Sequence, residues 1–247
     1  MQAEAIRLAA ELLRDAQRVV AFTGAGVSAE SGVPTFRGAG GLWEGRPVEE
    51  VASPQGFFAN PAHVWRFYDG RRQNLTKVAP NAAHMVLARW QERFGSFTLA
   101  TQNVDGLHQG AGSRDVLELH GSIWTIRCSN CERERVDRTA PLPEIPPRCV
   151  ECCGLERPGV VWFGEQLPDD VMSAAIEAAR KCDVLVVVGT SAVVYPAAGL
   201  VEIAARAGSK VIEVNPEASA LAHLADVELR GPAGEVLPHV DALLGGL

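Results

Sequence analysis

Short apolar, β-branched runs recur along the chain and alternate with stretches in which apolar residues return every three or four positions. The runs Val19–Thr23, Phe97–Thr101, Val184–Gly189, Lys210–Val214 and Asp226–Leu229 predict strands. Val184-Leu185-Val186-Val187-Val188 lacks polar alternation, which predicts a central parallel strand covered by helices on both faces. Helical periodicity predicts helices over 3–16, 61–76, 82–93, 168–181, 196–207 and 235–244. Strand and helix alternate at both chain ends, so the expected class is α/β with a doubly wound parallel sheet. Two stretches break that rhythm. Over 39–80 helices follow one another without a strand, and 123–157 holds five of the six cysteines and the run Pro141-Leu142-Pro143-Glu144-Ile145-Pro146-Pro147. The expected division is therefore a sheet domain built from 1–38, 81–122 and 158–247, with a smaller domain formed by the inserts 39–80 and 123–157.

Composition narrows the function. Hydrophobic residues make up 47% and charged residues 21%, as in compact globular proteins. A formal net charge of −7 leaves no broad basic face and argues against binding nucleic acid by counterion release. No apolar run reaches the roughly 18–20 residues that span a bilayer. The opening MQAEAIRLAAELLRDAQR reads as an amphipathic helix and not as a signal peptide, so a cytoplasmic protein without membrane attachment is expected. In a reducing compartment cysteines are metal ligands or buried apolar residues more often than disulfides.

Their spacing decides. Cys128 and Cys131 form one CxxC pair, and Cys149 and Cys152 another after 17 intervening residues, the pattern of a zinc ribbon. Four thiolates satisfy tetrahedral Zn²⁺ with no open position, so one structural zinc is expected. Cys153 follows Cys152 directly and is an alternative fourth ligand; Cys182 reads as a buried small hydrophobe. The ribbon's loops carry as many acidic as basic residues, which fits a scaffold better than a nucleic-acid reader.

Gly24-Ala25-Gly26-Val27-Ser28-Ala29 follows a predicted strand and matches the G-x-G-x-x-G/A pattern, in which glycines let the backbone approach a pyrophosphate. No strand ending in an acidic residue follows about twenty positions later, which departs from ordinary dehydrogenases. Glu30-Ser31-Gly32-Val33-Pro34-Thr35-Phe36-Arg37 follows instead, a loop suited to a lid over a bound cofactor.

Gly24-Ala25-Gly26-Val27-Ser28 with Gly32-Val33-Pro34-Thr35-Phe36-Arg37, then Thr101-Gln102-Asn103-Val104-Asp105-Gly106-Leu107-His108, then Leu119-His120-Gly121-Ser122 resembles the sirtuin family. The resemblance continues through both CxxC pairs, Arg157-Pro158, Val161-Trp162-Phe163-Gly164-Glu165, Gly189-Thr190-Ser191 and Asn215-Pro216. It implies a Rossmann-like domain paired with a smaller zinc-and-helical domain, with NAD as cosubstrate and an acyl-lysine protein or peptide in the cleft between them. The products would be nicotinamide, O-acyl-ADP-ribose and free lysine. His120 matches the general base that activates a ribose hydroxyl. Asn103 would hold the ribose or a water, Asp105 the nicotinamide carboxamide, and Gln102 the ribose. Gly24, Ala25, Gly26, Ser28, Phe36 and Arg37 match the pyrophosphate and lid positions; Gly189, Thr190, Ser191 and Asn215 match the adenosine side, with Ala233 near adenine. Val161, Trp162 and Phe163 would lie along the peptide, pairing with it as an added strand. The remaining histidines, His63, His84, His108, His223 and His239, read as structural or surface residues. Mono-ADP-ribosyl transfer and a non-catalytic NAD-sensing or zinc interaction module remain alternatives.

Tyr68 and Arg71 stand three apart, on one face of the predicted helix 61–76. A guanidinium fork beside a phenol hydroxyl is a natural receptor for a carboxylate. Tyr-x-x-Arg resembles the sirtuin subclass acting on succinyl-, malonyl- or glutaryl-lysine, and small Ala52 would leave room for the acyl group. Both deacetylation and desuccinylation or demalonylation are expected, by a monomer, since no sustained heptad pattern is present.

Overall fold

A computed structural model describes residues 2–35, 42–43 and 46–245. Besides a short antiparallel pair, Leu42–Trp43 with Arg46–Pro47, which interrupts the expected all-helical stretch 39–80, its strands are β1 (Arg18–Thr23), β2 (Ser96–Thr101), β3 (Leu117–Glu118), β4 (Gly121–Cys128), β5 (Glu134–Val136), β6 (Glu156–Val160), β7 (Val184–Val188), β8 (Lys210–Val214) and β9 (Val227–Leu229). The longer helices are α1 (Gln2–Asp15), α2 (Pro61–Leu75), α3 (Ala82–Arg93), α4 (Asp169–Lys181), α5 (Gly199–Arg206) and α6 (Ala233–Leu243). Six strands form one parallel sheet in the order β9-β8-β7-β1-β2-β3. Counted along that sheet alone this is 3-2-1-4-5-6, the doubly wound Rossmann order, whose switch point lies between β1 and β7.

Successive side chains of a strand point to opposite faces, and here both faces are apolar. Val19, Ala21, Val184, Val186 and Val188 join one core with α1, α3 and α6. Val20, Phe22, Leu185 and Val187 join a second core with α4 and α5. The unbroken valine run of β7 is thus the product of burial on two sides. α5 begins at Gly199 and not at 196, because Val194–Ala198 closes a turn in which the Ala198 amide donates to the Val194 carbonyl at 2.9 Å. β3 was too short to register as a periodic run.

The two stretches that break the alternation pack on each other. An antiparallel sheet in the order β5-β4-β6 lies against α2 and two short helices, Val48–Val51 and Pro54–Ala59. A third apolar core joins Trp65 and Tyr68 of α2 to Ile123, Trp124, Ile126, Val160 and Trp162. Polar ties cross the same seam: Trp65 Nε1 donates to the Glu156 carbonyl at 2.7 Å, and the Leu142 amide donates to Asp69 Oδ1 at 2.8 Å. Among the described residues no helix is long and apolar enough to cross a membrane.

Candidate active site

The loops that leave β1 and β7 meet at the switch point, where open α/β sheets bind ligands. The Gly26 amide donates to the Gly189 carbonyl at 2.7 Å, and the Gly24 amide to the Val188 carbonyl at 3.0 Å. A Cβ on Gly26 would lie 2.7 Å from the Gly189 oxygen, and one on Gly24 2.7 Å from Thr190 Cβ. Both glycines are therefore required by the neighbouring turn itself, besides any phosphate. Gly189 has φ 61, in the left-handed region where a side chain is strained. Gln102 Nε2 donates to Thr190 Oγ1 at 2.8 Å and Asn215 Nδ2 to the Thr190 carbonyl at 3.0 Å, drawing Gln102, Thr190 and Asn215 to one edge of the cleft. Ser191 follows at the surface, its carbonyl taken by the Ala220 amide at 3.0 Å. Ala25 opens the 3-10 turn that carries Ser28, and Ala233 is buried at the start of α6. Phe36 and Arg37, the expected lid residues, lie outside the described residues.

Behind this cleft is a buried polar cluster. Ser28 Oγ donates to Asp105 Oδ2 at 2.8 Å and accepts from Asn103 Nδ2 at 3.1 Å, while the Leu107 amide donates to Asp105 Oδ1 at 2.9 Å. Burial pushes the Asp105 carboxyl up, against those hydrogen bonds. His120 presents its Nδ1 to the Gln102 carbonyl at 2.9 Å. A carbonyl only accepts, so Nδ1 carries the proton and Nε2 keeps a lone pair. Burial also lowers the His120 pKa, which keeps that basic tautomer neutral.

Tyr68 and Arg71 are both buried on α2, and Arg71 also lines a small cavity with Gly32, Val33, Pro34 and Val78. Tyr68 Oη accepts from Trp162 Nε1 at 2.9 Å, and burial pushes the phenol well above its usual range, so it stays a neutral hydroxyl. Ala52 lies at the same seam, its carbonyl accepting from the Phe163 amide at 3.0 Å. The Val161 amide donates to the His120 carbonyl at 2.9 Å, tying His120 to the segment 161–163. Phe163 itself is half exposed.

Far from the cleft, the Sγ atoms of Cys128, Cys131, Cys149 and Cys152 lie within 4.8 Å of one another. Zn–S bonds of about 2.3 Å in a tetrahedron put sulfurs about 3.8 Å apart, and the pairs Cys128–Cys152 and Cys131–Cys149 are at 3.5 and 3.7 Å. The donor set fits a structural zinc. Cys152, not Cys153, completes it: Cys153 is exposed with φ 57, the bend that turns it outward. Gly154 closes the second knuckle, where a Cβ would come within 3.3 Å of two of the sulfurs. Cys182 is buried and free, as expected.

Residues 24–196 match the model of the Sir2 family. The chain belongs to the Sir2 family. An NAD-dependent protein deacylase of Aquifex aeolicus is 54% identical over 90% of this chain and 93% of its own. The structure of a Sir2 homologue in complex with NAD superposes with a TM-score of 0.89 at 44% identity, covering 99% of this chain and 96% of that one. Sir2Af2 bound to a myristoylated histone peptide superposes with a TM-score of 0.79 at 40% identity, covering 98% and 97%.

Within this Sir2 chain four further residues belong to the cluster: Thr23 and Thr101, given no role in the sequence analysis, and His84 and His108, read there as structural or surface residues and here buried. Thr23 and Thr101 are register partners at the ends of β1 and β2, joined Oγ1 to Oγ1 at 2.8 Å, and Thr101 Oγ1 accepts the Asn103 amide at 3.1 Å. His108 Nε2 meets Thr23 Oγ1 at 2.9 Å, and His84 Nε2 meets Ser28 Oγ at 3.4 Å. Both imidazoles are fully buried, 4.8 Å apart, and burial lowers them to about 4 for His84 and about 3 for His108. The paired strand-end threonines were a readable signal; the histidines had none, since only the packing of α3 brings His84 to Ser28.

Proposed function

We propose that this chain is an NAD-dependent protein-lysine deacylase that removes succinyl and malonyl as well as acetyl groups. The observation that carries the reading is His120, a half-buried neutral base whose Nδ1–H is held by the Gln102 carbonyl, at the mouth of the sheet beside the Asn103–Ser28–Asp105 cluster.

NAD, as cosubstrate, supplies an electrophilic ribose C1′ that the acyl oxygen captures as nicotinamide departs. Gly24, Ala25 and Gly26, whose backbone is bare of bulky side chains, cradle the pyrophosphate, and the resemblance assigns Phe36 and Arg37 to its lid. Gly189, Thr190, Ser191, Asn215 and Ala233 take the adenosine side. Asp105 accepts from the nicotinamide carboxamide, and its own oxygens are held still by Ser28 and Leu107. Gln102 and Asn103 hold the ribose. His120 Nε2 then removes a proton from a ribose hydroxyl, as a base working near neutral pH must. Val161, Trp162 and Phe163 flank the peptide, whose acyl group enters between Tyr68 and Arg71. A neutral phenol donor beside a guanidinium complements a carboxylate, which only accepts. The same reading takes 1–38, 81–122 and 158–247 as the NAD-binding domain and 39–80 with 123–157 as the small domain, which the separate core beneath α2 supports.

Matched acetyl-lysine and succinyl-lysine peptides, with and without NAD, test this by mass spectrometry of deacylated peptide and acyl-ADP-ribose. NAD-dependent removal of both groups is expected. Removal of acetyl alone refutes the carboxylate pocket, and ADP-ribose retained on protein refutes deacylation.

A further inference from the structure

The Trp162 indole is gripped from two directions, and only one of them belongs to the pocket described above. Its edge donates from Nε1 to Tyr68 Oη at 2.9 Å. Its face carries the Arg157 guanidinium, with Cζ 3.6 Å from the ring centroid, close contact for a cation over an aromatic. Arg157 is in turn forked onto Glu165, Nη1 to Oε1 at 2.5 Å and Nη2 to Oε2 at 2.8 Å. Glu165 Oε2 also accepts the Trp162 amide at 2.8 Å, so the pair holds both the backbone and the ring of the same residue. Phe57 packs against the indole, 5.3 Å between centroids, and Trp162 is buried.

The consequence is directional. An indole N–H is a donor only, so in its bond with Trp162 the Tyr68 oxygen must accept. The single hydroxyl proton of Tyr68 then has to leave along a different direction, away from Trp162. We infer that Trp162, braced by Arg157 and Glu165, sets the acyl preference by fixing the Tyr68 hydroxyl as a donor toward a carboxylate-bearing acyl group. Trp162, Arg157 and Glu165 act here as positioning residues. The inference deepens the carboxylate reading of the Tyr68–Arg71 pocket and rests on it.

The test is steady-state kinetics of the full-length protein on succinyl- and acetyl-lysine forms of one peptide at saturating NAD. Trp162→Phe keeps the ring and loses the donor. It should lower the succinyl-to-acetyl ratio of kcat/KM about tenfold, the worth of one oriented hydrogen bond, with most of the change in KM for the succinyl peptide. Arg157→Met and Glu165→Gln, which loosen the ring without touching the donor, should lower the same ratio about threefold. In a Tyr68→Phe background Trp162→Phe should leave the ratio where Tyr68→Phe put it, because the oriented hydroxyl is already gone.

A merely structural role moves both substrates together. If Trp162→Phe depresses both peptides equally, the indole only supports the loop and the inference is wrong. Should Trp162→Phe fail to fold, the ratios of Arg157→Met and Glu165→Gln decide in its place, and unchanged ratios overturn the inference. Wild-type protein that removes acetyl but no succinyl sinks the carboxylate reading and the inference together. Wild-type protein that removes succinyl while every variant keeps its ratio sinks the inference alone.

Discussion

The polar cluster at the mouth of the sheet and the Tyr68–Trp162 pair are both buried, yet they are held by different means. Thr23 and Thr101 stand opposite each other on hydrogen-bonded parallel strands, and Ser28, Asn103 and Asp105 follow within a few residues. Their positions come from a sheet with an apolar core on each face. Tyr68 and Arg71 come from one insert and Trp162 from the loop just after the strand that closes the other, over a three-stranded sheet that leads into four cysteines. The proposed chemistry on NAD thus rests on a self-sufficient core, and the proposed choice of acyl group on a smaller one stapled by a metal.

The largest expected effect separates the two regions directly. Cys128→Ser, or stripping zinc with a chelator, should reduce bound zinc from about one ion per chain to none and abolish deacylation, since structural zinc supplies about 10 kcal/mol or more to small modules. Circular dichroism should still report the six-stranded sheet. Complete unfolding instead would mean that the sheet leans on the stapled region and that the contrast is false.

A smaller effect confines itself to the sheet side. His120→Ala should lower turnover about 100- to 10,000-fold, the range for a lost general base, with the thermal midpoint nearly unchanged. Because burial lowers the His120 pKa, the base form persists below the ordinary imidazole value. The acidic limb of the kcat/KM profile should accordingly have its midpoint below pH 6.5; a midpoint above it would refute the assignment.

On the insert side, Arg71→Met should reduce the succinyl-to-acetyl ratio about 10- to 100-fold, as expected for a lost charged hydrogen bond. Peptide kinetics with both substrates check this, and an unchanged ratio would move acyl recognition away from α2.

The smallest effect again marks the sheet side. His84 and His108 have folded pKa values of about 4 and about 3, below the 6.5 of a free imidazole, so the unfolded chain takes up protons that the folded chain refuses. Stability should therefore fall as pH drops below 6.5, by about 2 kcal/mol per histidine at pH 5. Denaturant melts from pH 7 to pH 5 measure it. His84→Gln should flatten the slope; an equal slope in that variant would show that other groups cause it.

Much of the site was legible because its ligands follow the ends of strands that the apolar pattern announces. β1, β2 and β7 are runs of alternating or continuous apolar residues, and each is followed at once by a glycine or polar loop. The CxxC spacing was equally direct, since a tight turn aims two thiolates at one point whatever surrounds it. The choice between Cys152 and Cys153 was not legible, for both follow the same turn and only the backbone bend at Cys153 separates them. Trp162 was readable as a residue beside the peptide and not as the donor to Tyr68, because the two are 94 positions apart.

By itself the sequence determined what depends on neighbours along the chain: the period of each element, the glycines at the loop after β1, the cysteine pairs, and the face shared by Tyr68 and Arg71. Tertiary structure alone decided what depends on neighbours across it. It gave Trp162 to Tyr68, Arg157 to Trp162, His84 to Ser28 and Gly26 to Gly189. The physical reason is the range of the forces. Backbone sterics and hydrophobic periodicity act over a few residues and leave a local trace. Burial that shifts a pKa or orients a hydroxyl is created only when distant segments exclude water together.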